Sequence, residues 1–140
     1  MTAAAVIEGM VDAGTTLGTA MTNARQSNPT LSWTTFLTTT AFSAAYAAVA
    51  PTLEGLIESS VNSALTDIRT KQASLLGGGA VTDLSPGLLP AYSALLDVEN
   101  QLMSRYAANF GRTADCLAWL VDDALPILIK AAPIVLPLLL

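Results

Sequence analysis

The chain has 140 residues, 52% of them hydrophobic and only 12% charged, about half the charged share of an ordinary soluble domain. That length fits one domain with a single core and leaves too little chain for two independently stable ones. A net charge of −5, with six scattered basic residues, argues against direct nucleic-acid binding, because neutralising phosphates takes clustered Lys and Arg.

The sequence contains no histidine and one cysteine, Cys116, which cannot form an internal disulfide and is expected as a small buried apolar residue. Mean hydropathy is +0.53, so Thr, Ser and Ala must cover much of the outside. Such a weakly polar surface suits packing of one subunit on another. Met1 to Met10 has no basic residue ahead of an apolar stretch and carries Glu8, so no cleavable signal peptide is expected.

In chain order, Val6, Met10, Leu17 and Met21 recur at helical spacing and predict a helix over residues 3–25. Gly9, Gly14 and Gly18 interrupt it at a cost of up to about 1 kcal/mol each relative to Ala, which points to close backbone approach; Gly14 and Gly18 form a G-x-x-x-G step. A turn is expected at Gln26-Ser27-Asn28-Pro29.

No charge falls between Arg25 and Glu54, and residues 31–50 combine Trp33, Phe36, Leu37, Phe42, Tyr46 and Val49 with many Thr and Ala. The stretch is long enough to span a bilayer, but Thr34-Thr35 and Thr38-Thr39-Thr40 dilute it. A strand would suit those threonines; the Ala-rich continuation favours a buried helix.

Pro51 is expected to end that element or set the next, with Thr52 as N-cap of a helix over residues 52–76 that buries Leu53, Leu56, Ile57, Val61, Ala64, Ile68 and Leu75. Glu54 and Glu58 fall early and Arg69 and Lys71 late, each sign matching the helix macrodipole. Gly77-Gly78-Gly79 ends the helix and opens a loop over residues 77–89, a hinge candidate.

A fourth helix is predicted over residues 90–110, with Tyr92, Leu95, Leu96, Leu102, Met103, Tyr106 and Phe110 on one side and Gly111 as its stop. A fifth, over residues 114–138, starts from a cap at Thr113 or Asp115. From Ala124 to Leu140 the only charge is Lys130, with Pro126, Pro133 and Pro137 in the run. Three prolines make a poor membrane span, since lipid cannot replace the lost hydrogen bonds. Packing of the tail into its own core or a neighbouring subunit is the better expectation.

Candidate chemical sites are sparse. Glu54 and Glu58 share a helix face, but with no histidine the Glu-x-x-His pairs of di-iron bundles are missing, and a solvated first turn is the simpler reading. Asp122 and Asp123 are adjacent and diverge by about 100° on a helix. Cys116 has no imidazole to activate it. The glycine triplet lacks the Gly-Lys-Ser/Thr ending of a phosphate loop.

The expected fold is therefore all-α, a single-domain bundle of about five helices with an apolar, proline-containing C-terminal segment. The expected function is a non-enzymatic structural subunit, of virion coat, filament or sheath type, that needs no cofactor and has copies of itself as partners. Gly14, Gly18, Ile134, Val135, Leu136, Leu138, Leu139 and Leu140 are the expected self-association residues. The second expectation is a small integral membrane protein, pore-forming or membrane-disrupting, with the lipid membrane as its partner and spans near residues 31–50 and 117–140.

Overall fold

The computed structural model describes residues 2–56, 58–105 and 114–140. The protein is an all-α bundle: helix makes up 84% of it, and no strand occurs among the described residues.

Helix α1 (Ala3–Ser27) starts where the Thr2 hydroxyl accepts a hydrogen bond from the Ala5 N–H at 3.2 Å. Its buried stripe of Val6, Ile7, Met10, Ala13, Gly14, Leu17 and Met21 follows the helical period, with polar residues such as Glu8, Asp12, Thr15 and Thr19 left outside. The predicted helix over 31–50 is two helices, α2 (Trp33–Phe36) and α3 (Thr40–Gly55). The break lies in the threonine cluster. Thr38 and Thr39 donate their hydroxyls to the carbonyls of Thr35 and Phe36 at 2.7 and 2.6 Å, ending α2. The Thr39 oxygen then accepts from the Phe42 N–H at 3.3 Å and caps α3.

Pro51 does not end this element. It sits inside α3 on the exposed side, and Ala47, whose carbonyl would be its intrahelical acceptor, is exposed as well. The boundary falls at Leu56, buried and turned out of helical geometry, whose N–H bonds back to the Leu53 carbonyl. Helix α4 (Glu58–Leu76) therefore begins six residues later than the Thr52 cap predicted. Thr52 instead packs against α1 at Gly9, where a methyl group in place of the glycine hydrogen would lie 3.0 Å from its Cγ2.

The chain leaves α4 through Gly77 and Gly78, at φ of +58° and +84°, conformations that glycine adopts without penalty. A single 3-10 turn (Val81–Asp83), held by the Ala80 N–H donating to Asp83 Oδ2 at 3.2 Å, leads on to α5 (Leu89–Arg105). Tyr106, Phe110, Gly111 and Thr113, and hence the predicted end of the fourth helix and the Thr113 cap, lie outside the described residues, as does Ile57.

Helix α6 (Ala114–Ala118) continues through a π-helical segment (Trp119–Ala124) into α7 (Leu125–Leu139). The Leu125 N–H bonds to the Leu120 carbonyl, five residues back. Pro126 explains the wide turn: it has no N–H for the Asp122 carbonyl, and its ring would crowd that carbonyl in a regular α turn. The inserted residue keeps Trp119, Leu120 and Ala124 on the buried side and leaves Asp122 and Asp123 exposed.

Helix α1 packs against α3, α4 and α7, and both α4 and α7 pack against α5. Phe36, Ile7, Met10, Leu17, Ile68, Leu95, Leu102, Leu117, Leu120 and Leu128 are fully buried in one shared core. Burying such a side chain contributes about 1.5–3 kcal/mol. Trp33, Phe36, Phe42 and Tyr46 form a ladder of ring contacts, with centroids 5.4–5.8 Å apart, that joins α2 to α3.

Candidate functional site

The G-x-x-x-G step is engaged within the chain. A Cβ at Gly14 would stand 3.1 Å from Leu125 Cδ1 and 3.4 Å from Leu125 Cβ, and one at Gly18 would stand 3.4 Å from Val121 Cγ1. These two glycines bring α1 together with the π segment and the first residue of α7 in antiparallel fashion, Gly14 beside Leu125 and Gly18 one turn further on beside Val121. Of the tail residues expected to meet a second copy, Val135 is fully buried, and Leu136, Leu138 and Leu139 pack on the same core. Ile134 and Leu140 point outward, 40% and 87% exposed.

The predicted chemical candidates stand apart. Glu54 is exposed on α3, and the side chain of Glu58 lies outside the described residues. Asp122 accepts a hydrogen bond from the Trp33 indole N–H at 3.3 Å, tying α2 to the π segment; Asp123 is exposed beside it. Cys116 is buried in the core. Among the described residues, no group of three or more His, Cys, Asp or Glu side chains is placed to hold a metal ion.

The best-organised polar cluster links α4 and α5. Arg69 Nε donates to Glu99 Oε2 at 2.6 Å, Gln72 Nε2 donates to Glu99 Oε1 at 3.1 Å, and Arg69 Nη2 reaches Met103 Sδ at 3.2 Å. Burial pushes the Glu99 carboxyl pKa upward, but the hydrogen bonds from Arg69 and Gln72 and the Arg69 charge outweigh it and hold the group below its ordinary value. In the sequence Arg69 reads only as a dipole partner, because nothing in one-dimensional spacing pairs it with a residue in the next helix.

Three of the surface grooves are lined by described residues. One, between α1 and the π segment, is lined by Thr15, Thr19, Thr22, Arg25, Asp122 and Ile129 among others. A second, of about 280 Å³ between α5 and α7, is lined by Pro90, Ser93, Ala94, Asp97, Ile127, Lys130, Ala131 and Ile134. The third lies between α1 and α3 and is lined by small or uncharged residues, among them Thr16, Ala20, Ala24, Ala41, Ala44 and Ala45. It runs into the outer side of α3, where Thr40, Ala41, Ser43, Ala44, Ala47, Ala48 and Pro51 are all exposed and the helix carries no charge before Glu54.

The fold and these surfaces define an all-α bundle whose most distinctive exterior is an uncharged helix face. No protein-family model matches the chain, and no curated protein or solved structure matches it either.

Proposed function

We propose that the protein is a non-enzymatic structural subunit that assembles with copies of itself, of virion coat, filament or sheath type. The observation that carries this reading is the outer face of α3, exposed yet built from Ala, Ser, Thr and Pro. An outward helix face is ordinarily solvated by charged side chains. Alanine surrenders no rotamer freedom when covered, and its small size lets a second helix approach closely, so such a face is inexpensive to bury against another subunit. Ile129 and Ile134, 52% and 40% exposed on α7, add apolar surface of the same use.

Lipid insertion is the weaker reading. No helix among the described residues is long and apolar enough to cross a membrane. The candidate span over residues 31–50 is broken between α2 and α3. In the other, Pro133 and Pro137 leave the carbonyls of Ile129 and Pro133 without intrahelical donors. Hydrocarbon supplies no replacement for those bonds, whereas water or a neighbouring subunit does.

Sedimentation of the full chain over a concentration series, with and without detergent, tests the proposal. Multimers that grow with concentration in plain buffer are expected. A single monomeric species throughout would overturn the proposal, and co-flotation with lipid vesicles in place of self-assembly would favour the membrane reading.

A further inference from the structure

The groove between α5 and α7 carries opposite charges on its two walls, Asp97 on α5 and Lys130 on α7, both exposed. Neither takes part in an ion pair among the described residues, where the pair that forms is Arg69 with Glu99. Between and beside them lie apolar side chains, Ile127, Ala131, Pro90 and the 40%-exposed Ile134. Leu88 and Leu89, 41% and 47% exposed just before Pro90, extend that apolar surface beyond the end of the groove.

A lone Lys on an otherwise uncharged α7, opposite a lone Asp across an apolar floor, is self-complementary. In a two-fold contact, residue i of one copy meets residue j of the other and the reverse. A two-fold axis passing between Asp97 and Lys130 lays each over the other's position in the second copy. Two equivalent ion pairs then flank a shared apolar strip, the arrangement of a hydrophobic interface centre with a polar rim. We infer that this groove is a two-fold interface between copies of the chain, with Asp97 of each subunit paired to Lys130 of the other.

The inference rests on the self-assembly proposed above and names a surface for it. Asp97→Lys and Lys130→Asp, made separately, each set like charges against one another in a two-fold pair. Each variant is expected to lose at least half of the native mass while its circular dichroism is unchanged, because both side chains project into solvent. Mixing the two variants restores both pairs. Across the mixed contact the lysine introduced at position 97 faces the aspartate introduced at position 130, and the remaining Asp97 faces the remaining Lys130, so the mass is expected to return. Should either reversal unfold the chain, Asp97→Cys mixed with Lys130→Cys and a short bismaleimide is expected to give a covalent dimer.

If the unaltered chain assembles and the single reversals leave its mass unchanged, this interface is wrong and the assembly proposal stands. Dissociation of the single variants without recovery on mixing, or no covalent dimer from the cysteine pair, overturns the Asp97–Lys130 pairing. A monomeric unaltered chain overturns both proposals.

Discussion

Two glycines in one helix make a controlled comparison of propensity against packing. Replacing Gly by Ala inside a helix gains about 1 kcal/mol of intrinsic preference. At Gly18 the new methyl would meet Val121 Cγ1 at 3.4 Å, an ordinary contact, so Gly18→Ala is expected to raise the melting temperature. At Gly14 the new methyl would meet Leu125 Cδ1 at 3.1 Å, tighter than an ordinary contact, so the Leu125 side chain must give by a few tenths of an ångström in a packed helix interface. Gly14→Ala is therefore expected to lower the melting temperature, by the about 1–3 kcal/mol typical of overpacking less the about 1 kcal/mol of helix preference gained. Thermal melts of the two variants read the opposite signs directly. Glu99 provides a second test at this scale. Its folded pKa lies below the ordinary 4.5, so its contribution to stability is fully present above that value and is lost as pH falls through the folded value. Glu99→Gln has no charge to protonate, so the gap in melting temperature between it and the unaltered chain should narrow as pH drops below 4.5. A gap that stays constant would mean Glu99 is held by packing alone.

Helical periodicity identifies the long elements, because α1, α4 and α5 each bury one continuous stripe and a stripe is visible in one dimension. The failures are local and chemical. In the sequence Thr38 and Thr39 stand out for polarity and β-branching, whereas in the fold their hydroxyls close one helix and cap the next. Pro51 reads as a boundary, although on an exposed helix side its missing donor costs less. Periodicity does not anticipate the π segment, yet its cause, Pro126 four residues after Asp122, stands in the sequence. The tail shows a different limit: apolar character says that it must be covered, but which residues its own core covers depends on packing with α1, α4 and α5. That packing predicts the effect of truncation. Deleting residues 134–140 removes Val135, which is fully buried, together with the packed Leu136, Leu138 and Leu139. Loss of several such side chains, each worth about 1.5–3 kcal/mol, should lower the denaturant midpoint sharply. Ile134→Ser, at a residue 40% exposed, should lower that midpoint much less than the deletion does.

For the whole molecule, the shortage of charge is distributed unevenly, and that distribution matters more than the total. The α4–α5 side carries Asp67, Arg69, Lys71, Asp97 and Glu99, an ordinary mixed exterior. The α2–α3 side carries nothing charged before Glu54, and the step from one side to the other is invisible in a composition of 12% charged residues. Among the described residues, folding gathers much of the apolar surplus into one core and leaves exposed apolar side chains on α5 (Leu89, Met103) and α7 (Ile129, Ile134), besides the bland α3 face. Only the charge-free interval from Arg25 to Glu54 hints at this in the sequence. An α3 face and an α5–α7 groove on the same subunit are two different surfaces, and joining copies through both builds structures larger than a dimer. Ala44 and Ala48, one helical turn apart and both exposed, probe the first surface independently of the second. Glu is a good helix former, so Ala44→Glu with Ala48→Glu should cost little stability at solvent-facing positions, though like charges at this spacing repel by a few tenths of a kcal/mol. Buried against another subunit, the same two carboxylates would have to be desolvated without partners, which costs several kcal/mol. The double variant should therefore keep its helix content but sediment as a smaller species than the unaltered chain. Equal sedimentation of the two would remove α3 from the assembly surface.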